Sequence, residues 1–588
     1  MTFLRELLAA ILGVFISFMI MFFVFVAIVS VIGSSFGEDE KVVVKKNSVL
    51  VLKLEDVIKD YAPKSNDPIE QLLGLEEDKM GLNNILNAID NAKYDDNILG
   101  ISIESLMIRG GIAQIQEIRD KLYEFKESGK FILAFSDVYV QKNLYLSSVA
   151  DSVYVNPEGL IDFRGLSGEV LFFKDFQEKY GVKMEVIRHG KYKSAVEPFL
   201  ANEMSEANRE QTEVFLKSIW SEMVEDIEES RNLESTRINY IADELLARTP
   251  DLAIENSMLT GKLYKDEYVK ILKQLGGVPE DGQLNAISVK NYINSGKGRI
   301  ITTASDKIGV IYAQGEIIYG KGDENYIGPD LIIEALKKAR KAKDVKAIVL
   351  RVNSPGGSAL ASDMIWREIE ITKKEKPVVV SMGNLATSGG YYISCNADKI
   401  VADPTTITGS IGVFGMVPNI SEFADRIGIN AEQVGTNKRS VNYSLFEPMS
   451  DDFYQVTKEG IERIYVTFVT KVAEGRNLSY EEVDQIAQGR VWTGEQALDN
   501  GLVDALGGLE DAIKLAASIV ELDEYRIRSY PDYKKEFKDM FWGPFGSIKE
   551  QLLLDEIGEE NLKLFKHVQN FDNWTGIQTR LPFLLEIK

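Results

Sequence analysis

A serine followed by two glycines is the first candidate for chemistry in this sequence of 588 residues. Ser388 lies in GNLATSGGYY, residues 383–392, directly after the strand-like run KPVVVSM. A serine at a strand-to-helix junction can lie at a helix N-terminus, where backbone N–H groups and the helix dipole stabilise negative charge. The pattern predicts a nucleophile at Ser388, and a glycine-eased packing turn is the alternative that this motif alone leaves open.

A second glycine-rich turn, RVNSPGGSAL at residues 351–360, follows another apolar strand. Its glycine N–H groups can approach a substrate closely and hold the oxyanion of a tetrahedral intermediate. An ordinary Pro-Gly turn would have the same residues. The turn therefore indicates an oxyanion site only in combination with a nucleophile.

A hydrolytic serine needs a base, and this sequence has few histidines to supply one. It contains two, His189 and His567, so a Ser-His-Asp triad would have to use one of them. The segment HGKYKSAVEPF, residues 189–199, offers lysines instead. A lysine acts as a base when burial or cationic neighbours lower its pKa from about 10.4 toward neutrality. Without such an environment it is a solvated surface charge.

The elements that must position these residues follow a βα rhythm. Strand-like runs alternate with helical stretches, as in VKAIVLRV, a helix over about 359–372, and KPVVVSMG, which predicts an α/β fold. Aligning Pro157 with Pro404, an offset of 247 residues, also matches Asp151 with Asp398. This spacing predicts two copies of one domain, at 47–293 and 306–523, rather than a solenoid. An appendage at 524–588 follows.

The two copies differ at the candidate catalytic positions. Ser388 aligns with Gln141, so the first copy lacks the nucleophile. With one gap, Lys193 aligns with Arg439, which is no substitute because arginine stays protonated. Each copy therefore keeps one half of a serine–lysine pair. The sequence predicts a site built between the copies, and leaves open whether they belong to one chain.

The N-terminus has an uncharged apolar run at residues 7–32, longer than the roughly 20 residues that cross a bilayer. Its length favours an uncleaved transmembrane anchor behind a short tail at 1–6. A signal peptide is the alternative, but its apolar core has only about 7–15 residues. Arg5 precedes the run, whereas Lys41, Lys45 and Lys46 follow it, so the positive-inside rule does not fix the orientation.

Composition argues against several classes of function. The net charge of −23, from 67 basic and 90 acidic residues, argues against a nucleic-acid partner. Two histidines and one cysteine are too few for an ordinary zinc site, and a single cysteine cannot form an intrachain disulfide. That cysteine, Cys395, follows Ser388 on a predicted buried helix, where a free cysteine usually acts as a small apolar side chain.

At these motifs the sequence resembles the long, two-domain form of the signal peptide peptidase A (protease IV) family, serine–lysine peptidases related in fold to Clp protease and the crotonases. The resemblance extends from the anchor to about Gly508. The motifs that carry it are RVNSPGGS, GNLATSGGYYIS, TGSIGVFG (408–415), GKYKSAVEPF and GRVWTGEQALDNGLVDALGG (489–508). It implies tandem ClpP/crotonase-like domains behind one transmembrane helix.

The resemblance also implies roles for individual residues. Ser388 is the nucleophile, and Lys193 rather than Lys191 is the general base and proton donor. Ser194 supports the amine indirectly, from behind its direct contacts. The oxyanion donors are the backbone N–H groups of Gly356, Gly357 and Gly389. Neither a metal nor a cofactor is expected.

By the same resemblance, the protein is a membrane-bound endopeptidase of the bacterial inner membrane, with its catalytic domains on the periplasmic side. It would degrade cleaved signal peptides and similar apolar peptides as a homo-oligomer, expected to be a tetramer. Two other classes remain open at this point. A crotonase-like acyl-CoA enzyme would share the fold and the glycine turns, and a non-catalytic membrane scaffold would explain the degenerate copies.

Overall fold

The computed structural model describes residues 42–62, 79–298, 303–440, 443–533 and 576–580, together with Arg5 and the helical residues 12–21, 23 and 24. No helix among these residues is long and apolar enough to cross a membrane. The rest of the predicted tail at 1–6, the rest of the predicted anchor at 7–32, and residues 534–575 and 581–588 of the predicted appendage lie outside the described residues.

The first half of the chain is built on a parallel sheet of six strands. The strands of this half, inside and outside that sheet, are β1 (Ser48–Leu52), β2 (Val57–Lys59), β3 (Lys79–Gly81), β4 (Ile98–Ile103), β5 (Phe131–Tyr139), β6 (Ser152–Ile161), β7 (Lys183–His189), β8 (Gly261–Lys262) and β9 (Asn285–Ser288). The sheet order is β8-β6-β5-β4-β1-β9, and β2 pairs with β3 separately. Near-continuous apolar strands such as SVLVL in β1 are typical of a parallel sheet covered on both faces.

The helices of this half fill the crossovers between the strands. They are α1 (Leu82–Tyr94), α2 (Ile112–Lys126), α3 (Gln141–Ser147), α4 (Lys174–Tyr180), α5 (Glu197–Leu200), α6 (Glu206–Arg231), α7 (Ser235–Asp243), α8 (Pro250–Glu255), α9 (Lys265–Leu275) and α10 (Val289–Asn294), with a 3-10 turn at Ser194–Val196 before α5.

The second half repeats this plan with a sheet of eight strands. The strands of this half, inside and outside that sheet, are β10 (Lys307–Gln314), β11 (Glu316–Ile317), β12 (Tyr326–Ile327), β13 (Val345–Ser354), β14 (Gly356–Ser358), β15 (Val378–Thr387), β16 (Lys399–Ala402), β17 (Ile407–Gly409), β18 (Val413–Asn419), β19 (Val491–Thr493), β20 (Ala505–Leu506) and β21 (Arg526–Tyr530). The order is β19-β17-β15-β13-β10-β21, with β16 beside β15 and β20 beside β16. Thus β21, from the predicted appendage, extends this sheet.

The helices of the second half are α11 (Pro329–Lys341), α12 (Ala359–Lys373), α13 (Gly389–Ser394), α14 (Ser421–Arg426), α15 (Asp451–Arg476), α16 (Tyr480–Ile486), α17 (Gly494–Asp499) and α18 (Leu509–Ile519). Helices α6 and α15 occupy corresponding places in the two halves. Each has 26 residues, starts after a serine cap and ends at an asparagine in the left-handed conformation.

The aligned aspartates show the same correspondence in atomic detail. Asp151 Oδ2 accepts a hydrogen bond from the Ile132 N–H at 2.8 Å, and Asp398 Oδ2 accepts one from the Val378 N–H at 2.7 Å. Each carboxylate thereby ties the start of one strand to the turn before the next. The predicted α/β class is confirmed, and the predicted repeat is visible in the structure.

A third sheet combines strands from both halves in the order β12-β11-β14-β22-β18-β7, where β22 is Gly576–Arg580. Strand β7 of the first half runs antiparallel to β18 of the second, from Lys183 opposite Asn419 to His189 opposite Val413. Because β7 leads into the segment that contains Lys193, this pairing brings the first half's lysine to the second half.

A buried ion cluster also joins the halves. The Arg351 guanidinium in β13 lies 2.9 Å from Asp60 Oδ1 and 2.5 Å from Glu117 Oε1, and all three side chains are buried. Arg351 also donates to Ser381 Oγ at 2.8 Å. The carboxylates come from the first half and the guanidinium from the second, so the cluster forms only when the two halves are packed together.

Candidate active site

Ser388 lies at the junction between β15 and α13, as the sequence predicts. Its backbone has φ +55° and ψ −112°, a conformation that residues other than glycine rarely adopt and that costs of order 1–3 kcal/mol. Its N–H donates to the Gly409 carbonyl at 2.8 Å, and its carbonyl accepts from the Tyr392 N–H at 2.8 Å. These two hydrogen bonds hold the strained turn at the start of the helix.

The glycine motif after the serine lets two turns of the second half meet. A Cβ atom at Gly390 would lie 3.0 Å from the Ser354 carbonyl oxygen and 3.3 Å from its Cβ. Ser354 is the last residue of β13, two residues before Gly356 of the predicted oxyanion turn. Glycine at 390 therefore allows the start of α13 to pack directly against the predicted oxyanion turn.

Lys193 follows β7 and is enclosed by a segment of the second half. The Tyr192 N–H donates to the Gln488 carbonyl at 2.8 Å. Gly489, at φ +83°, packs so closely that a Cβ there would lie 2.7 Å from both the backbone nitrogen and the Cβ of Lys193. This glycine opens the motif GRVWTGEQ, whose role the sequence alone did not specify. The close approach seals the lysine inside the protein.

The structure brings the two predicted catalytic side chains together within one chain. Lys193 Nζ lies 2.9 Å from Ser388 Oγ. It also lies 3.0 Å from Ser410 Oγ and 3.1 Å from the Ser410 carbonyl oxygen. Lys193 and Ser388 both have 0 % of their surface exposed.

The environment of Lys193 favours the neutral amine. Burial lowers the pKa of the Lys193 ammonium well below its ordinary value. A neutral amine has two N–H donors and one lone pair. The donors match the two oxygens of Ser410, and the lone pair can accept the Ser388 hydroxyl proton. The same three contacts also suit the ammonium, so a proton can move from Ser388 to Lys193 without rearrangement.

The other basic residues of the HGKYKSAVEPF segment lie elsewhere. Lys191 is exposed, and its Nζ lies 5.1 Å from the centroid of the Tyr192 ring. The half-buried imidazole of His189 packs against the Tyr465 ring, with centroids 3.9 Å apart and the ring planes tilted by 34°, and burial lowers the pKa of His189. His567 lies outside the described residues.

Ser194 is buried beside Lys193, but its hydroxyl accepts a hydrogen bond from Gln211 Nε2 at 2.9 Å. Besides Ser388, the serine whose hydroxyl contacts the amine is Ser410, which sequence reasoning missed. Ser410 has φ +51° and its N–H donates to the Arg490 carbonyl at 2.7 Å. It lies in TGSIGVFG, and a serine enclosed by glycines between two strands is the signal that could have identified it.

Of the three predicted oxyanion glycines, Gly389 directly follows Ser388, and the other two lie in a strand that packs against α13. Gly389 is the first residue of α13. Gly356 has φ +98°, and its N–H donates to Ser354 Oγ at 3.1 Å. Gly357 has φ +150°, and a Cβ there would lie 2.0 Å from the Ile317 carbonyl oxygen, so only glycine fits. The turn therefore requires glycine at both positions for conformational reasons as well.

The aligned partners of the catalytic residues have other contacts. Gln141 Oε1 accepts from the N–H groups of Arg164 and Gly165, both at 3.3 Å. Arg439 is exposed and lies 3.2 Å from Asp452. Because Gln141 and Arg439 replace the serine and the lysine, each half has only one member of the catalytic pair.

Cys395 is buried at the end of α13, and burial raises the pKa of its thiol to about 12. Its Sγ donates to the Tyr392 carbonyl at 3.3 Å. A protonated, enclosed thiol is a poor nucleophile, which agrees with the prediction of a small apolar side chain.

Comparison with known proteins gives one family match in each half. The model described as Peptidase family S49 matches residues 124–278 and 370–523. The starts of the two matches are 246 residues apart, close to the offset of the sequence repeat. The predicted tandem arrangement is confirmed.

Curated relatives align over most of the chain. Protease 4 of Haemophilus influenzae is 36% identical over 532 residues, which is 88% of this chain and 85% of that protein. Protease 4 of Salmonella typhi is 34% identical over 553 residues, 90% of this chain and 88% of that protein. The chloroplastic serine protease SPPA of Arabidopsis thaliana is 32% identical over 479 residues, 80% and 69% of the two chains.

Solved structures give weaker similarities. A mutant of ClpP1 from Listeria monocytogenes matches with a TM-score of 0.24 at 17% identity, over 35% of this chain and 94% of that one. A mutant of the 1510-N membrane-bound stomatin-specific protease matches with a TM-score of 0.26 at 15% identity, over 39% and 99%. Such scores do not establish a shared fold, so likeness to Clp protease and the crotonases stays a prediction.

Proposed function

This chain belongs to peptidase family S49 and is a serine peptidase, and on that premise we propose that Ser388 is its nucleophile and Lys193 its general base. The observation that carries the proposal is the 2.9 Å distance between Lys193 Nζ and Ser388 Oγ. Because the family is one of peptidases, neither an acyl-CoA enzyme nor a non-catalytic scaffold is retained as a candidate.

The proposed reaction begins with a neutral Lys193. Its amine takes the Ser388 hydroxyl proton as Oγ attacks the carbonyl carbon of the peptide bond, and the carbonyl oxygen becomes an oxyanion. Backbone N–H groups of the predicted donors Gly356, Gly357 and Gly389 stabilise that charge. The Lys193 ammonium then gives its proton to the amine nitrogen as the C–N bond breaks. Water, deprotonated by the same lysine, releases the acyl group from Ser388.

Ser410 supports this cycle from a fixed position. Its carbonyl oxygen accepts a hydrogen bond from Lys193 Nζ in either protonation state. This hydrogen bond is stronger when Lys193 is an ammonium than when it is a neutral amine. Its hydroxyl can rotate to suit either state. Ser410 therefore orients the lone pair of Lys193 toward Ser388 and helps the site to hold the proton between the two transfers.

The proposal extends to the substrate and the location of the protein. We propose that residues 7–32 anchor the chain in the bacterial inner membrane, with the catalytic halves on the periplasmic side, and that it is an endopeptidase that degrades cleaved signal peptides and similar apolar peptides. The support is the apolar run in the sequence and the similarity to bacterial proteins named Protease 4. A homo-oligomer, expected to be a tetramer, belongs to the same proposal.

Hydrolysis of a signal-peptide fragment by the purified full-length protein tests the catalytic pair. Ser388→Ala and Lys193→Ala should each abolish most of the activity, whereas His189→Ala should retain it. Near-normal hydrolysis by Lys193→Ala, together with its loss in His189→Ala, would show that the base is the histidine.

A mixing experiment tests whether each chain has its own site. Ser388→Ala and Lys193→Ala subunits, co-expressed so that they co-assemble, should remain inactive because neither chain has both residues. Recovery of a substantial fraction of wild-type activity would place the pair across a subunit boundary. Protease accessibility in spheroplasts tests the topology, and complete protection of the catalytic halves would contradict the periplasmic placement.

A further inference from the structure

The segment 488–490, directly before β19, lies against the residues that lead into Lys193. The Gln488 carbonyl accepts a hydrogen bond from the Tyr192 N–H at 2.8 Å. The two chains are so close that a Cβ at Gly190 would lie 2.5 Å from the same carbonyl oxygen. Movement of the segment would therefore move the main chain on which the catalytic lysine is carried.

The same segment also holds the serine that contacts the lysine amine. The Arg490 carbonyl accepts a hydrogen bond from the Ser410 N–H at 2.7 Å, and the Gly489 N–H donates to the Ile411 carbonyl at 2.8 Å. Ser410 in turn contacts the Lys193 amine through both of its oxygens. One short segment thus connects the base and its supporting serine through main-chain hydrogen bonds.

The backbone of this segment is in a conformation that needs support. Gln488 has φ +55° and Gly489 has φ +83°. The left-handed region suits glycine, but it is unfavourable for a residue with a Cβ such as glutamine. A return of Gln488 to negative φ would turn the chain at this point and move its carbonyl away from the Tyr192 N–H. Other contacts must therefore hold Gln488 in place.

Tyr465, a buried residue of α15, supplies those contacts through its hydroxyl. The hydroxyl oxygen accepts from the Gln488 N–H at 3.4 Å and from Gln488 Nε2 at 3.0 Å. It donates to Asp484 Oδ1 in α16, and this carboxylate also accepts from Gln488 Nε2 at 2.8 Å. The three side chains form a closed set of hydrogen bonds that holds both the backbone and the side chain of Gln488.

The Tyr465 ring and the Tyr465 hydroxyl have separate contacts. The ring packs against His189 at the end of β7, with centroids 3.9 Å apart. The hydroxyl faces Gln488 and Asp484 instead, and a tyrosine hydroxyl can accept and donate at the same time. Phenylalanine would keep the ring contact and lose every hydrogen bond, so substitution can separate the two.

We propose that Tyr465, with Asp484, is a positioning residue for the general base, and that it acts by holding the segment 488–490 against Lys193. This inference rests on the proposed function, since it takes Lys193 as the base. Gln488 transmits the constraint from the Tyr465 hydroxyl to the main chain of the segment. The hydroxyl thereby keeps the Lys193 amine within reach of Ser388 without contacting the reacting atoms.

Tyr465→Phe in the full-length protein tests this inference. A misplacement of about 1 Å can cost on the order of 100-fold in rate, so a partial displacement of Lys193 should lower kcat for a short peptide about tenfold. KM should change little, because Tyr465 does not position the substrate. The midpoint of the pH–rate profile should also rise toward 10.5, because a loosened segment admits water and weakens the burial that lowers the pKa of Lys193.

Tyr292→Phe is the matched control. Tyr292, in α10 of the first half, is also buried, and its hydroxyl donates to Asp95 Oδ2 at 3.2 Å. The control therefore loses a phenol–carboxylate hydrogen bond outside the candidate active site. Its kcat and its pH–rate midpoint should match the wild type. A folded Tyr465→Phe protein that behaves like Tyr292→Phe in both measurements would overturn the inference.

Gln488→Ala provides a second test, which also decides the matter if Tyr465→Phe does not fold. It keeps the Gln488 N–H but removes the amide that joins Tyr465 to Asp484, so kcat should fall and the pH–rate midpoint should rise. Residues of one hydrogen-bond network have non-additive effects, so the double variant should lose about as much kcat as Tyr465→Phe alone.

Two results in this second test would overturn the inference: wild-type kcat and pH–rate midpoint in Gln488→Ala, or losses that multiply in the double variant. Failure of the proposed function would give a different result, hydrolysis that is insensitive to Ser388→Ala and Lys193→Ala.

Discussion

Gly489→Ala offers a sharp test of how the second half holds the first half's lysine. The added Cβ would lie 2.7 Å from the Lys193 nitrogen and Cβ, where ordinary contact begins at 3.4 Å. Lys193 must therefore retreat by about 0.7 Å, and the neighbours that it meets are backbone and Cβ atoms, which cannot swing aside. A comparable shift at Nζ lengthens its 2.9 Å contact with Ser388 beyond the roughly 3.2 Å reach of a general base.

The expected loss of activity follows from that displacement. Misplacing a catalytic group by about 1 Å can cost on the order of 100-fold in rate, or about 2.7 kcal/mol. Gly489 also has φ +83°, so alanine there adds backbone strain of about 1–2 kcal/mol, which lowers stability without touching the site. Stability and activity must therefore be measured separately.

Gly296→Ala is the matched control. Gly296 has φ +84°, and a Cβ there would meet nothing within 4 Å. Both variants carry a similar backbone strain, and Gly489→Ala adds the clash with Lys193, so its melting temperature should fall further than that of Gly296→Ala. Only Gly489→Ala should lose about 100-fold in kcat/KM for a peptide substrate. Equal, near-wild-type activity in the two variants would show that the contact of Gly489 with Lys193 does not position the amine.

Three further predictions concern buried charge. Lys193→Met should abolish hydrolysis yet raise Tm at pH 7, because the wild-type chain has to lose the Lys193 proton on folding and the variant does not. This gain in Tm should shrink as pH rises toward 10.5. In the wild type, kcat/KM should rise with pH through the lowered pKa of Lys193, with a midpoint well below 10.5 in a pH–rate profile. Arg351→Ala leaves Asp60 and Glu117 buried without their cation, so it should cost about 3–5 kcal/mol in denaturant unfolding, and an unchanged midpoint would refute the importance of the cluster.

Much of the catalytic pair could be predicted because the sequence features that indicate it are either motifs of adjacent residues or differences between the two copies of the domain. Ser388 lies in a strand–glycine–helix motif that is readable from adjacent residues. The choice of Lys193 depended on the resemblance and on the copies having diverged at matching positions. The α/β class followed from apolar strands alternating with helices, a pattern that each βα unit carries on its own.

The remaining parts of the site depend on contacts between distant segments. Ser410 reaches Lys193 only after β7 pairs with β18, and its positive φ leaves no mark in the sequence. Ser194 was the natural expectation as the neighbour of Lys193, but consecutive side chains at a 3-10 turn point in different directions, and its hydroxyl contacts Gln211 instead. Likewise, GIQTR has no feature that would place it between β14 and β18.

The most direct measurement of the Ser388–Lys193 pair is the rate at which a small serine-reactive probe labels Ser388 as pH is varied. In the wild type and in His189→Ala, the labelling rate should rise with pH, with a midpoint well below the ordinary lysine value of 10.5, because burial lowers the pKa of Lys193. In Lys193→Met, labelling should be lost although the protein still melts cooperatively. Labelling of Lys193→Met at the wild-type rate, or its loss in His189→Ala alone, would contradict the assignment of Lys193 as the base.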